Sequence, residues 1–119
     1  MQNNTRTELF KYGVNGGVME YHAMIHVTNT ALAYTEQVAA LMEAYDALLQ
    51  VEAKGATTVF KRYFLSDAAN QADYLMALEM ESSDCALSIV EQSPLDGSKV
   101  ALWVYLMTDV QTRALGNGL

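Results

Sequence analysis

The chain has 119 residues, of which 51% are hydrophobic, and its formal net charge at pH 7 is -7. That length and apolar fraction suffice for one hydrophobic core, so we expect a single domain over residues 1–119. The seven lysines and arginines include only one adjacent pair. Because phosphate backbones are bound by basic tracks, we do not expect nucleic acid as a partner.

Cysteine usage and hydropathy indicate a cytoplasmic protein. Cys85 is the only cysteine, which excludes an intrachain disulfide and a cysteine-based metal cluster and fits a reducing compartment. No stretch approaches the roughly 18 apolar residues that span a bilayer. The first ten residues lack a basic region followed by an apolar run, so we expect neither secretion nor a membrane partner.

The N-terminal third predicts a β-hairpin. Apolar and polar residues alternate over residues 7–12 and again over residues 18–27, as in half-buried strands. The glycine-rich segment 13–17 between them supplies a flexible turn.

Residues 35–51 predict a helix that packs on one face. Their apolar side chains recur at the i, i+3, i+4, i+7 spacing of an amphipathic helix. Lys54 and Gly55 are expected to end it. The apolar positions are Val38, Leu41, Met42, Tyr45, Leu48 and Leu49.

The C-terminal half predicts a strand, a helix and two further strands. Residues 57–65 are rich in β-branched and aromatic side chains, and Ser66 and Asp67 can cap a second helix over residues 68–80. Apolar runs at 85–90 and 99–107 follow. Because Pro94 and the Asp96-Gly97 pair indicate a turn between these runs, we expect the last two strands to be adjacent.

The element order is therefore β, β, α, β, α, β, β. This predicts an α+β fold in which two helices cover one face of a single sheet. Strand residues such as Tyr21, Tyr63, Trp103 and Tyr105 are so apolar that both sheet faces carry hydrophobic groups. We expect the face without helices to be buried against another subunit.

Three segments resemble the RidA/YjgF family of reactive-intermediate deaminases, also described as endoribonuclease L-PSP-like. They are the FKYGVNGG hairpin at 10–17, the TTVF strand at 57–60 and the turn at Pro94, in the family's order. The resemblance covers nearly the whole chain. It implies a chorismate-mutase-like fold and a homotrimer in which three sheets face inward as a barrel, with ligand clefts between subunits.

The resemblance also implies a chemistry that this sequence does not fully carry. Active members hydrolyse enamines and imines without a cofactor or metal, and an arginine holds the substrate carboxylate through paired hydrogen bonds. The matching position here is Cys85, which has no positive charge. The family's glutamate falls near Val100 or Ala101, and its hairpin tyrosine aligns with Phe10, close to Tyr12.

Two functional hypotheses follow from that comparison. The first is a trimeric protein whose clefts bind a small carboxylate-bearing or aromatic molecule without the usual deaminase machinery. The alternative is an imine or enamine deaminase that uses substitutes such as Arg62, His22 or Cys85. A third hypothesis, ribonuclease activity or inhibition of translation, is disfavoured by the negative net charge of the chain.

The candidate cleft residues also have ordinary structural interpretations. Lys61 and Arg62 are adjacent on a strand, so only one of them can enter a given cleft, and Arg62 could equally cover apolar surface with its stem. His22 lies four residues before His26 on the same strand face, which favours packing or hydrogen bonding over a metal site because no third ligand has a recognisable spacing.

Cys85 and Ser88 are the last two candidates. A lone cysteine is more often an inert small hydrophobe than a nucleophile. Cys85 becomes reactive only if a base lies beside it, and Ser88 shares its neighbourhood on the predicted strand. The complete set of candidate ligand-cleft residues is Phe10, Tyr12, His22, Arg62, Cys85 and Ser88.

Overall fold

A computed structural model describes residues 4–13, 18–82, 85–94 and 97–108. Over these residues the chain forms an α+β fold with one mixed five-stranded sheet and two α-helices, and the predicted element order is confirmed. Within the described ranges, no helix is long and apolar enough to cross a membrane. The elements are β1 (Thr5–Gly13), β2 (Met19–Val27), α1 (Tyr34–Ala47), β3 (Ala56–Leu65), α2 (Ala68–Ser82), β4 (Ala86–Glu91) and β5 (Val100–Thr108).

The sheet has the strand order β1-β2-β5-β3-β4. The last strand, β5, pairs antiparallel with both β2 and β3, whereas β4 pairs in parallel with β3. The prediction that the last two strands are adjacent is therefore wrong. Parallel neighbours need a crossover, which α2 supplies between β3 and β4. Strand β5 occupies the centre of the sheet because its side chains are apolar on both faces.

The hydrophobic core lies between the sheet and the two helices. Helix α1 packs on β2 and β5, and α2 packs on β3 and β4. Alternate residues of the two central strands point to the helices, as the period of two in a strand requires. The fully buried side chains of β2 and β5 on this face include Ile25, Val27, Val100, Leu102, Val104 and Leu106.

Helix α1 begins and ends close to the predicted positions. At its start, the Ala33 backbone N–H donates to Glu36 Oε1 over 2.9 Å. After Ala47 the chain adds one π-helical turn, Leu48–Glu52, which places Leu48 in the core. Gly55 then takes a φ of +87°, a conformation that favours glycine.

The start of α2 differs in detail from the predicted cap. The Gln71 side chain accepts a hydrogen bond from the Asp67 backbone N–H over 2.9 Å and donates to Ser66 Oγ over 3.2 Å. Asn70 donates from its side chain to Asp67 Oδ2 over 2.7 Å. Ser66 and Asp67 therefore bind the amide side chains of the first helical turn.

Strand β3 contains a β-bulge at Val59. Thr58 lies opposite Leu106 of β5, and Phe60 lies opposite the next residue, Tyr105, so Val59 has no partner of its own. After the bulge, Lys61 points to the helices and Arg62 to the opposite face. The expected separation of these two cations is confirmed.

Lys61 takes part in a buried polar cluster beneath the helices. Its Nζ lies 3.2 Å and 3.3 Å from the two carboxylate oxygens of Glu79, and both residues are only 3% exposed. The Tyr63 hydroxyl donates to Glu79 Oε2 over 2.5 Å. Burial raises the pKa of Tyr63, and its bond to the carboxylate raises it further. Lys61 Nζ also lies 4.3 Å from the centre of the Tyr45 ring.

Replacing Glu79 by glutamine tests the contribution of this cluster. The glutamine keeps the shape and can still bind Tyr63, but it leaves the buried Lys61 charge without a counter-charge. We expect the free energy of unfolding to fall by about 3–5 kcal/mol, measured by urea denaturation. The matched control is Arg62→Gln, the neighbouring cation on the exposed side, which should cost less than about 1 kcal/mol.

A double variant separates lost charge balance from lost packing. Combining Lys61→Met with Glu79→Gln removes both charges, and it should recover most of the stability lost in Glu79→Gln alone. If the double variant is as unstable as the single one, charge pairing is not what Glu79 contributes.

The raised pKa of Tyr34 predicts that the free energy of unfolding falls in alkaline solution. Its hydroxyl donates to the Gln71 carbonyl over 2.8 Å, and burial, with Tyr74 nearby, raises its pKa to about 12. Tyrosine ionises near pH 10 in unfolded chains. The stabilisation of the folded state by the protonated Tyr34 hydroxyl is therefore complete below pH 10 and is lost as the pH rises towards 12.

Urea denaturation across this pH range measures the effect. The free energy of unfolding should fall less steeply with pH above pH 10 in Tyr34→Phe than in the unmodified protein. Equal slopes would contradict a role for Tyr34, because Tyr45 and Tyr63, whose pKa values are also raised, remain in both proteins.

Candidate functional site on the open sheet face

The sheet face opposite the helices, called here the open face, carries the candidate functional residues. Both described helices pack on the other side of the sheet. The pairing registers and the alternation of side chains identify the residues of the open face. They are Arg6, Glu8, Phe10 and Tyr12 of β1; Glu20, His22, Met24 and His26 of β2; Ala101, Trp103, Tyr105 and Met107 of β5; Thr57, Phe60, Arg62 and Phe64 of β3; and Ala86, Ser88 and Val90 of β4.

An aromatic strip crosses the open face from β1 to β3. It consists of Tyr12, His22, Tyr105, Trp103 and Phe60. The His22 ring lies 4.8 Å from that of Tyr105, 5.9 Å from that of Trp103 and 5.6 Å from that of Tyr12. Phe60 meets Trp103 edge to face at 5.6 Å. These spacings are those of mutually attractive aromatic pairs, so the strip is a continuous surface.

Arg62 lies at one end of the aromatic strip. Its guanidinium carbon is 5.3 Å from the centre of the Phe60 ring, within the range of a cation–π contact. At the other end, Tyr12 is 53% exposed, and its neighbour Phe10 is 54% exposed. The strip thus combines accessible ring surface with a guanidinium, a pairing suited to an aromatic or anionic group.

The charges of the open face balance, in contrast to those of the whole chain. Among the residues that the structure describes, the face carries two arginines, Arg6 and Arg62, and two glutamates, Glu8 and Glu20. Its formal charge is zero while that of the chain is -7. Glu20 is also a hydrogen-bond partner of Tyr105, whose pKa is raised first by burial and then by this bond.

A pocket of about 410 Å³ lies on the open face beside the aromatic strip. We call it the Ala101 pocket, because this small residue, 1% exposed, lies at its floor. The segment that follows β4 borders the pocket on the side opposite β1. The lining residues are Arg6, Met24, His26, Phe64, Gln92, Ser93, Pro94 and Ala101.

Two residues that line the Ala101 pocket, Arg6 and His26, both contact Glu8, which is not itself a lining residue. Arg6 Nη1 lies 3.1 Å from Glu8 Oε2, and His26 Nε2 lies 3.2 Å from Glu8 Oε1. The hydrogen bond with His26 and then that with Arg6 lower the pKa of Glu8. Each oxygen of one carboxylate therefore holds a different donor.

A larger groove of about 620 Å³ lies on the helix side, between β1 and α1. Its ionisable lining groups are the carboxylates Glu43 and Glu52, and the rest is mainly alanine, threonine and aliphatic side chains. No cation lines it within the described residues, so it suits an anion less well than the open face does.

The structure brings five of the six predicted cleft residues to the open face. Phe10 pairs with His22, Arg62 pairs with Ser88, and Tyr12 belongs to the aromatic strip. Apart from Cys85, the candidate residues therefore share one surface, although they extend across four strands.

Cys85 lies elsewhere. It comes just before β4, and its thiol adds to the burial effect that raises the pKa values of Tyr45 and Tyr63, two residues on the helix side. Strand residues three positions apart point to opposite faces, so Cys85 and Ser88 do not form one site.

The two histidines share the open face, as expected, but they are not near one ligand. Four residues of strand separate their Cα atoms by about 13 Å. His22 stacks in the aromatic strip, whereas His26 binds Glu8. No group of three metal-ligating side chains occurs among the described residues.

Sequence reasoning missed the pocket and most of the aromatic strip. The sequence indicates Trp103 and Tyr105 only as part of an apolar surplus and Phe60 only as part of the TTVF strand, and it does not single out Arg6 or Glu8. The alternation of Arg6, Glu8, Phe10 and Tyr12 along β1 is the signal that places these residues on one face.

Comparisons with protein-family models, with curated proteins and with solved structures found no match to this chain. The function of the open face is therefore inferred from its geometry and chemistry.

Proposed function

We propose that the chain is a RidA/YjgF-like binding protein that forms a homotrimer with the open faces directed inward. Clefts between the copies bind a small molecule with a carboxylate or an aromatic group. One observation carries the proposal: the aromatic strip and Arg62 lie on a sheet face that neither described helix covers.

The charge distribution supports self-association through this face. A chain of net charge -7 repels its copies, and a formally neutral open face is the surface through which copies can meet with the fewest like charges in contact. Its centre is aromatic with Arg62 beside Trp103, and Arg6, Glu8 and Glu20 lie on β1 and at the start of β2, towards one edge of the face. An apolar centre with a polar rim is typical of stable interfaces.

The same face offers the chemistry for a small ligand. Exposed aromatic rings provide stacking surface, and a guanidinium binds a carboxylate through two parallel hydrogen bonds. Within the described residues no carboxylate pairs with Arg62. The Ala101 pocket falls in the size range of small-molecule sites, and a second copy placed over it converts an open trough into an enclosed cleft.

The residues at the family's catalytic positions favour binding over deamination. Cys85 supplies no cation and lies near Tyr45 and Tyr63, on the helix side. Val100 is buried in the core and Ala101 forms the pocket floor, and both have hydrocarbon side chains that cannot transfer a proton. Phe10 retains an aromatic ring but lacks a hydroxyl.

Charged substitutions on the open face should dissociate the trimer. Phe10→Glu and Tyr12→Glu each place a carboxylate on a face that self-association buries, and the combined variant should be monomeric by light scattering coupled to gel filtration. The control is Val51→Glu, which alters an equally accessible apolar residue, 69% exposed, on the helix side and should leave the trimer intact.

Trp103, the only tryptophan, provides a second readout in the same proteins. Acrylamide should quench its fluorescence less in the assembled protein than in the monomeric variant. An unmodified protein that is monomeric at all concentrations, with freely quenched Trp103, would contradict assembly through the open face.

Release of ammonia distinguishes binding from the deaminase alternative. We expect no turnover of freshly generated 2-aminoacrylate or 2-iminobutyrate by the unmodified protein, with an active RidA-family member as the positive control. Turnover that disappears in Arg62→Ala would establish the alternative, in which Arg62 replaces the missing clamp. Cys85→Arg should remain inactive, because this position lies on the helix side.

A further inference from the structure

The Ala101 pocket contains an apolar floor whose depth depends on one small residue. The open-face residues of β5 are Ala101, Trp103, Tyr105 and Met107, and only the first is small. Phe64 lies opposite Ala101 on β3, and on β2 His26 lies opposite Ala101 with Met24 diagonal to it, so the floor is apolar apart from the imidazole of His26. An apolar side chain of a ligand would therefore be desolvated there.

The rim of the pocket presents opposite charges side by side. Arg6 and Glu8 are in contact over 3.1 Å, and their side chains are 54% and 49% exposed. An exposed ion pair of this kind contributes little to stability, so a ligand can separate it at small cost. His26, a lining residue whose side chain is 18% exposed, holds the other oxygen of Glu8 and fixes this carboxylate beside the pocket.

A ligand with both charges satisfies this rim better than a ligand with one. A simple carboxylate would bind Arg6 but meet the Glu8 carboxylate, and a simple amine would meet the Arg6 guanidinium. An α-amino acid carries its carboxylate and ammonium on a single carbon, so it can exchange one exposed ion pair for two. Its side chain then extends from that carbon towards the floor.

We propose that the Ala101 pocket binds an α-amino acid with an apolar side chain, with the ligand carboxylate on Arg6 and the ligand ammonium on Glu8. The side chain lies against Met24, Phe64 and Ala101. Gln92 and Ser93, on the far side of the pocket, supply further polar groups. This inference rests on the proposed function, because the pocket lies on the face that the proposed trimer covers.

Three probes of equal hydrocarbon skeleton test the ligand class by isothermal titration calorimetry. They are L-leucine, 4-methylpentanoate, which lacks the ammonium, and 3-methylbutylamine, which lacks the carboxylate. We expect leucine to bind at least about tenfold more tightly than either analogue. Equal affinity for leucine and 4-methylpentanoate would overturn the proposal in favour of a plain anion site.

Two variants assign the charges, each with a matched control. Arg6→Gln should weaken leucine binding about tenfold and abolish its advantage over the amine, and Glu8→Gln should abolish its advantage over the carboxylate. Lys11→Gln, on the other face of β1, and Glu43→Gln, on α1, remove the same charges away from the pocket. They should leave leucine affinity unchanged.

The location of the bound amino acid is tested independently of the charged residues. In protein labelled with carbon-13 at the methionine methyl groups, leucine should shift the Met24 resonance, assigned from Met24→Leu. Ala101→Leu fills the pocket and should abolish both the shift and the binding. Binding of leucine without a shift at Met24, or binding that survives in a folded Ala101→Leu, would overturn the assignment.

Light scattering on the same samples separates this inference from the proposed function. An intact trimer that does not bind leucine overturns the amino-acid site and leaves the assembly standing. A monomer in which leucine shifts Met24 overturns the trimer and supports the pocket assignment.

Discussion

The position of β5 between β2 and β3 is the constraint on which the rest of the structure depends. This strand is apolar on both faces, so only the centre of the sheet can use all of it. One side supplies the core beneath the helices, and the other side supplies Trp103, Tyr105 and Ala101 to the open face. The same strand therefore determines the stability of the monomer, the aromatic strip and the depth of the pocket.

The order of elements could be predicted from the sequence because hydrophobic period and turn residues are local signals. The pairing of the last strands could not, since proximity in the sequence favours a hairpin while burial on both faces favours the sheet centre. The bulge at Val59 was equally hidden. Uninterrupted alternation from Thr58 would direct Lys61, rather than Arg62, to the open face.

The candidate site was predicted in part for the same reason. Phe10, Tyr12 and His22 share the open face, as alternation within single strands allows. Arg62 and its neighbour Ser88 share it through the register that follows the bulge at Val59. The Ala101 pocket brings together residues from four strands and from the segment after β4. Such a convergence depends on strand order and register, which single-strand patterns do not contain.

The bulge at Val59 also bears on how the length of such a chain can change during evolution. Thr58 faces Leu106 and Phe60 faces Tyr105, so the registers on either side of Val59 continue each other without it. Loss of this residue would leave the helix side and the open face each with its present side chains. In other interior positions of β3, loss of one residue would exchange the two faces for the remainder of the strand. Related sequences that differ by a single residue in this strand are therefore expected to differ at this site.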